Sequence, residues 1–193
     1  MEFDNKNFWE NRYKTNLELG SGRGSRGKPL CIKKTILNKI LEEFKPDSVL
    51  DVGCGDIEVV KDLPMVNYTG IDLSPFIMEK NRIKRPNWRF ITGDFIELYK
   101  KNPLESDLVI CFDVLIHQFH YETYQEIIRL LSKCCRKICL LSGFEESPGS
   151  KFPSETTAFH EPITRTLRKV GIEDMKTIGK YRNATIVFFK KSK

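Results

Sequence analysis

The chain has 193 residues, a formal net charge of +6, 30% charged residues and 40% hydrophobic ones. That is enough chain for one domain with a full core, and no apolar run reaches the roughly 18 residues that a membrane-spanning helix needs. The six cysteines (31, 54, 111, 134, 135 and 139) include no Cys-x-x-Cys pair, so they read as reduced thiols of a cytoplasmic protein, with neither a zinc site nor a disulfide framework.

The first residues, Met1 to Lys6, lack the apolar core of a secretory signal. Asp4 to Lys14 reads as a helix carrying Phe8, Trp9 and Tyr13, with Asp4 as its cap. Leu19 to Pro29 is rich in glycine, serine and arginine and reads as a loop. Its Gly22 to Lys28 stretch formally matches a phosphate-binding loop, but Pro29 stands where a magnesium-binding hydroxyl belongs and no strand precedes it. Lys33 to Phe44 is a helix with Ile36, Leu37, Ile40, Leu41 and Phe44 on one stripe.

From there strands and helices alternate. Ser48–Val52 is a strand, Ile57–Leu63 a short helix ended by Pro64, Asn67–Ile71 a strand, and Pro75–Arg85 a helix with proline in its first turn. Trp88–Thr92 and Asp107–Phe112 are the third and fourth strands, Tyr121–Cys134 a long helix, and Lys137–Ser142 the fifth strand. Residues 147–159 form a Pro/Ser/Thr-rich loop, and Pro162–Val170 is a helix closed by Gly171. Met175–Tyr181 and Thr185–Phe189 are two last strands joined tightly through Arg182, Asn183 and Ala184. This order predicts an α/β fold with a parallel sheet and one antiparallel strand.

Two stretches carry the chemistry. Val49-Leu50-Asp51-Val52-Gly53-Cys54-Gly55-Asp56 ends an apolar strand in a glycine turn, and Tyr68-Thr69-Gly70-Ile71-Asp72-Leu73 ends the next strand in an acid. Glycines let backbone approach a ligand, and the later acid accepts ribose hydroxyls; here it follows Gly55 by 17 positions. The third glycine of a dinucleotide fingerprint is missing. Asp51, Asp56 and Glu58 would repel a pyrophosphate, which favours an adenosine whose other end is cationic or zwitterionic. The plainer alternative is a strand-turn-helix with Asp56 as the cap.

This pair of motifs resembles class I (Rossmann-like) S-adenosylmethionine-dependent methyltransferases, with the Asp-x-Gly-x-Gly core at Asp51, Gly53 and Gly55 around Cys54, over residues 48 to 190. The resemblance implies a three-layer α/β/α sandwich with a seven-stranded, mostly parallel sheet. It implies one domain over 1–193, with 1–30 as an N-terminal cap and 31–193 as the catalytic core. The donor would be S-adenosylmethionine, the product S-adenosylhomocysteine, and no metal would be required. Asp72, with Leu73 beside it, would bind the ribose, and Asp94 and Phe95 after the third strand would read and cover the adenine. After the fourth strand, Phe112-Asp113-Val114-Leu115-Ile116-His117 is similar to the family's small-molecule branch. Phe112 and Asp113 would face the methionine end and His117 the methyl group, where a neutral imidazole suits a general base. His120 is a second candidate.

Residues 143–161 make a loop long enough to act as a lid. His160 and Glu161 at its end either line the acceptor pocket or, in the case of His160, cap the following helix. The N-terminal segment is similar to that of methyltransferases of bacterial capsule and O-antigen synthesis, where it folds over the cofactor. That places Trp9 and Arg12 at the cofactor and Tyr13, Arg23 and Arg26 at the acceptor. Arg23, Arg26 and Lys28 either hold a phosphate or sugar acid or belong to a solvated arm.

The expected reaction is O-methylation of a small anionic, sugar or phosphate-containing acceptor with His117 as base. Asn-Pro-Pro-Tyr or Asp-Pro-Pro-Tyr, usual in nitrogen-methylating relatives, is absent after the fourth strand, which argues against nucleic acid. The alternatives are an RNA or protein N-methyltransferase that uses the basic surface, or a non-catalytic cofactor-binding partner subunit. The sequence leaves the oligomeric state open.

Overall fold

The computed structural model describes residues 3–65, 67–149 and 156–191. Its centre is a seven-stranded sheet of β1 (Val49–Val52), β2 (Tyr68–Asp72), β3 (Arg89–Thr92), β4 (Ser106–Cys111), β5 (Cys135–Phe144), β6 (Met175–Tyr181) and β7 (Ala184–Lys190) in the order 3-2-1-4-5-7-6. β7 runs antiparallel to both of its neighbours, and the β1, β2, β3, β4 and β5 pairings are parallel. This is the expected sheet with one antiparallel strand. The order reverses between β1 and β4, so a crevice opens at the carboxyl ends of those strands.

Alternation along the strands feeds two cores. Leu108 and Ile110 of β4 and Ile138 and Leu140 of β5 pack on one face with α2 (Gly27–Phe44) and α3 (Pro75–Lys84). Val109, Cys111, Cys139 and Leu141 pack on the other with α5 (Tyr121–Cys134) and α6 (Ile163–Lys169). Two opposite faces, both covered, give the three layers. α5 has the sequence-predicted bounds because Tyr124, Ile127, Ile128 and Leu131 make one buried stripe. α1 (Asn5–Thr15) begins where expected, with the Asp4 carboxylate accepting from the Asn7 amide. α3 starts at Pro75 behind the Ser74 cap.

Three elements differ from expectation. α2 starts at Gly27, so the Gly/Ser/Arg loop shrinks to a 3₁₀ turn over Arg23–Ser25, and the cap–core boundary expected at residue 30 lies inside a helix. Ile57–Leu63 is a run of turns. Ile57 takes φ +57°, a costly value for a β-branched residue, and is 1% exposed, so burial offsets the backbone strain that breaks the helix there. α4 (Phe95–Lys101) was unforeseen; Asp94 caps it by accepting from the Glu97 amide at 3.0 Å. Of the long loop after β5, residues 150–155 lie outside the described residues.

Candidate active site

A pocket sits at the switch point. Its walls come from the end of β1 (Asp51 to Cys54), the end of β2 (Asp72, Leu73), the turn after β3 (Gly93 to Phe95), the segment after β4 (Phe112 to Val114, His117) and, from above, α1. Gly53 and Gly55 have φ of +74° and +51°, and a Cβ on Gly53 would collide with the Val114 side chain. Only glycine serves there.

Asp72 is built to receive two donors. Its Oδ2 accepts from the Gly55 amide and its Oδ1 from the Ser74 amide, each at 3.0 Å. The Leu73 amide favours the ionised form as well. Burial pushes this carboxyl up to about 6 against the pull of those amides, so further donors would relieve it. Asp51 accepts from the Tyr68 hydroxyl at 2.8 Å, and burial pushes it up to about 7. A cationic group would stabilise its ionised form. Phe95 is buried on the wall. Asp94 also lines the pocket, with one oxygen spent as the α4 cap. Cys54 is a buried thiol 3.7 Å from the Met78 sulfur, and burial holds it well above its usual range, so it serves as wall.

The other acids of the glycine loop are neutralised elsewhere, which corrects the expected repulsive trio. Asp56 pairs with Arg26 at 2.5 Å and accepts from Ser21 Oγ at 2.8 Å; Glu58 pairs with Lys61 at 2.8 Å. Asp113 stands in the pocket wall beside Phe112. It reaches the pocket, but its carboxylate is engaged by Lys33 Nζ at 2.6 Å and the Tyr181 hydroxyl at 2.5 Å, while its amide donates to Ser142 Oγ at 2.8 Å. Burial would raise this carboxyl, and the Lys33 ammonium overrides that and holds it low. The Lys33 side chain is 0% exposed. Its position was readable: Lys33, Leu37, Ile40 and Phe44 share one helical stripe, so a lysine stands on an apolar face.

His117 lies in the pocket wall with Nδ1 2.5 Å from the Thr156 carbonyl oxygen and the Trp9 ring edge-on at 5.0 Å between centroids. A carbonyl only accepts, so Nδ1 carries the proton and Nε2 keeps its lone pair. Burial lowers its pKa from the usual value, so the ring is neutral at pH 7. The other histidines are elsewhere. His120 is exposed at the cap position of α5. His160 bonds the Gln118 carbonyl through Nε2 at 2.9 Å and packs between Tyr121 and Tyr124. Neither lines the pocket.

The N-terminal segment covers the site. Trp9 and Tyr13 line it, and the Tyr13 hydroxyl lies 3.2 Å from Ser21 Oγ. Arg12 does not reach the pocket. It stacks over Trp9 at 5.3 Å and donates to the Gly20 carbonyl at 3.1 Å. Among the described residues, Arg23, Arg26 and Glu161 do not line the pocket. Arg23 is exposed outside the pocket, Arg26 is bound to Asp56, and Glu161 accepts from Tyr121 of α5 and from Thr166 and Lys169 of α6. Short internal partners satisfy Arg26 and Glu161 before a ligand could. Sequence reading missed Asn5, Ser21, Ser25 and Gln118, which also line the pocket and belong to no motif.

Among the described residues no cluster of potential metal ligands is present, and no helix is long and apolar enough to cross a membrane. The fold is shared with a magnesium protoporphyrin IX methyltransferase from Synechocystis PCC 6803 with bound S-adenosylhomocysteine (TM-score 0.71, 18% identity, 97% of this chain and 100% of that one). It is shared likewise with the N-methyltransferase NodS from Bradyrhizobium japonicum WM9 (TM-score 0.73, 12% identity, 98% and 100%). The small RNA methyltransferase HEN1 matches at TM-score 0.67 and 16% identity over 88% of this chain and 26% of that one. No curated protein matches the sequence. A methyltransferase domain model matches residues 43–153, more than half of the chain, and with the glycine turn, Asp72 and the sheet order in place the chain belongs to the methyltransferase domain family.

Proposed function

We propose that the pocket binds S-adenosylmethionine and that the protein methylates a hydroxyl of a small molecule, with His117 as the general base. The observation that carries this is the neutral His117 imidazole, its Nδ1 fixed on the Thr156 carbonyl, in the wall of the pocket that Asp72 anchors. When bound, the donor supplies a methyl group on a cationic sulfur, ready for displacement. Asp72 accepts from the ribose hydroxyls, Asp94 and Phe95 take the adenine, and the Asp51 carboxylate faces the cationic end. Trp9 and Tyr13 close the pocket from above and exclude water. Alignment supplies most of the rate, and His117 Nε2 removes the acceptor proton.

A sugar acid, a sugar phosphate or a nucleic acid finds little support, because the described pocket lining contains no lysine or arginine. The non-catalytic reading predicts binding without turnover; the base held in the wall speaks against it. The test is calorimetric titration with S-adenosylhomocysteine, with NAD and ATP as controls. Micromolar binding of the first alone is expected. Binding of NAD or ATP in its place would mean that the glycine turn has been misassigned.

A further inference from the structure

Lys33 is a buried ammonium that methyl transfer does not use. Its side chain has no exposed surface, so neither donor nor acceptor touches it. Nζ lies 2.6 Å from Asp113 Oδ2 and over the Tyr181 and Phe112 rings at 4.6 and 5.3 Å. Apolar side chains in place of a buried ion pair are often neutral or stabilising, so stability alone is a poor reason for a lysine here. Lys33 shares the buried stripe of α2 with Leu37 and Ile40, where methionine has a similar volume. What methionine lacks is the means to hold a carboxylate in one direction.

The carboxylate belongs to a residue in an uncommon conformation. Asp113 has φ +61°, a region that a residue other than glycine keeps only where its surroundings fix it. Three elements do so. α2 supplies Lys33 to Oδ2, the end of β6 supplies the Tyr181 hydroxyl to Oδ1 at 2.5 Å, and β5 supplies Ser142, whose Oγ accepts from the Asp113 amide at 2.8 Å. The cap rests on the same group, since a Cβ on Gly24 would collide with Oδ2. The chain that leaves this clamp carries His117. Val114 comes first, with its side chain against Gly53, and opens the 3₁₀ turn Leu115–His117, in which the His117 amide donates to the Val114 carbonyl at 3.0 Å. A turn this short passes the direction of Asp113 on to the ring.

Resting on the reading of His117 as the base, we propose that Lys33 is a positioning residue: through Asp113 it sets the turn that holds His117 Nδ1 on the Thr156 carbonyl and leaves Nε2 bare. Without the ammonium, Asp113 leaves its left-handed conformation and the ring loses its single tautomer.

The test reads the two ring nitrogens of His117 by nuclear magnetic resonance in the full chain, labelled on nitrogen, with the signals identified by their loss in His117→Ala. In the unaltered protein they are expected far apart, one protonated and one bare. Lys33→Met is expected to bring them together, as in a ring that shares its proton between both positions. The double variant Lys33→Met/Asp113→Asn separates positioning from stability. It strands no charge, so its denaturation midpoint should exceed that of Lys33→Met, while the signals stay together for want of the ammonium. Signals that remain apart in folded Lys33→Met overturn the proposal. So does their separation in the double variant, because Lys33 would then act on stability alone, and so do signals already together in the unaltered protein. If Lys33→Met does not fold, the double variant decides alone. The base reading fails separately, through an unchanged kcat in His117→Ala, which these spectra do not measure.

Discussion

The turns at the strand ends and the N-terminal cap enclose the same pocket by different means. The turns after β1 and β2 are held by backbone: positive φ at Gly53 and Gly55, and amides bonded to Asp72. The cap is held by side chains reaching across large sequence separations. Ser21 and Arg26 hold Asp56, Glu10 accepts from the Ser74 hydroxyl and the Phe76 amide, and Asn5 holds the His117 carbonyl. The difference teaches that a backbone-held site leaves a spaced motif in the chain, whereas a side-chain latch leaves isolated serines, asparagines and acids.

His117 is held by the cap and lies in the pocket that both regions enclose, and its removal has the largest expected effect. His117→Ala should lower kcat by roughly two to four orders of magnitude with S-adenosylhomocysteine affinity kept; a loss under threefold would take the base away from it. Its lowered pKa puts the acid limb of kcat below the usual imidazole value, so turnover should be level above pH 7. Lys33→Met tests the joint between the regions. It strands Asp113 in a buried site, and loss of one partner of such a pair costs about 3–5 kcal/mol, readable as a fall in the denaturation midpoint. Asp113→Asn added to it should recover part of the loss.

Asp72→Ala isolates the strand-end side. It removes two bonds to ligand hydroxyls and should weaken S-adenosylhomocysteine binding by about a hundredfold, at the 1.5–3 kcal/mol scale of each charged hydrogen bond. The same residue gives a pH test. Its pKa of about 6 lies above the ordinary value, so the free protein takes up a proton there as pH falls, whereas ligand hydroxyls favour the carboxylate. Affinity should therefore be constant above pH 7 and fall about tenfold per unit below 6. Affinity that is flat from pH 5 to 8 would remove Asp72 from the ligand. The smallest effect belongs to the latch. Ser21→Ala deletes bonds to both the carboxylate and the amide of Asp56 and should cost about 1–2 kcal/mol. It should speed protease cleavage within residues 1–26, with the sheet intact.

The sheet was legible because each strand is a short apolar run punctuated by glycine, proline or an acid, and α5 because its buried stripe repeats at helical spacing. α4 was missed because seven residues contain too few turns for periodicity, although Asp94 and Glu97 stand at cap spacing. The Ile57 segment misled because burial outweighed its backbone preference. In the site, Asp51, Gly53, Asp72, Asp94, Phe95 and His117 were found from local context and do line the pocket, and Gly55 holds Asp72 through its amide. The partners of Arg26, Glu161 and Asp113 were not legible, because a charge in a sequence does not show which opposite charge folding will bring to it.

By itself the sequence determined the order of strands, the glycine turn and the acids at the strand ends, since these follow from interactions among neighbours along the chain. Only the tertiary structure decided which of those charges stay available to a ligand. Lys33 meets Asp113 across 80 positions, Arg26 meets Asp56 across 30 and Asn5 meets His117 across 112. Electrostatic and hydrogen-bond partners are chosen by distance in space, which the sheet and its two cores fix.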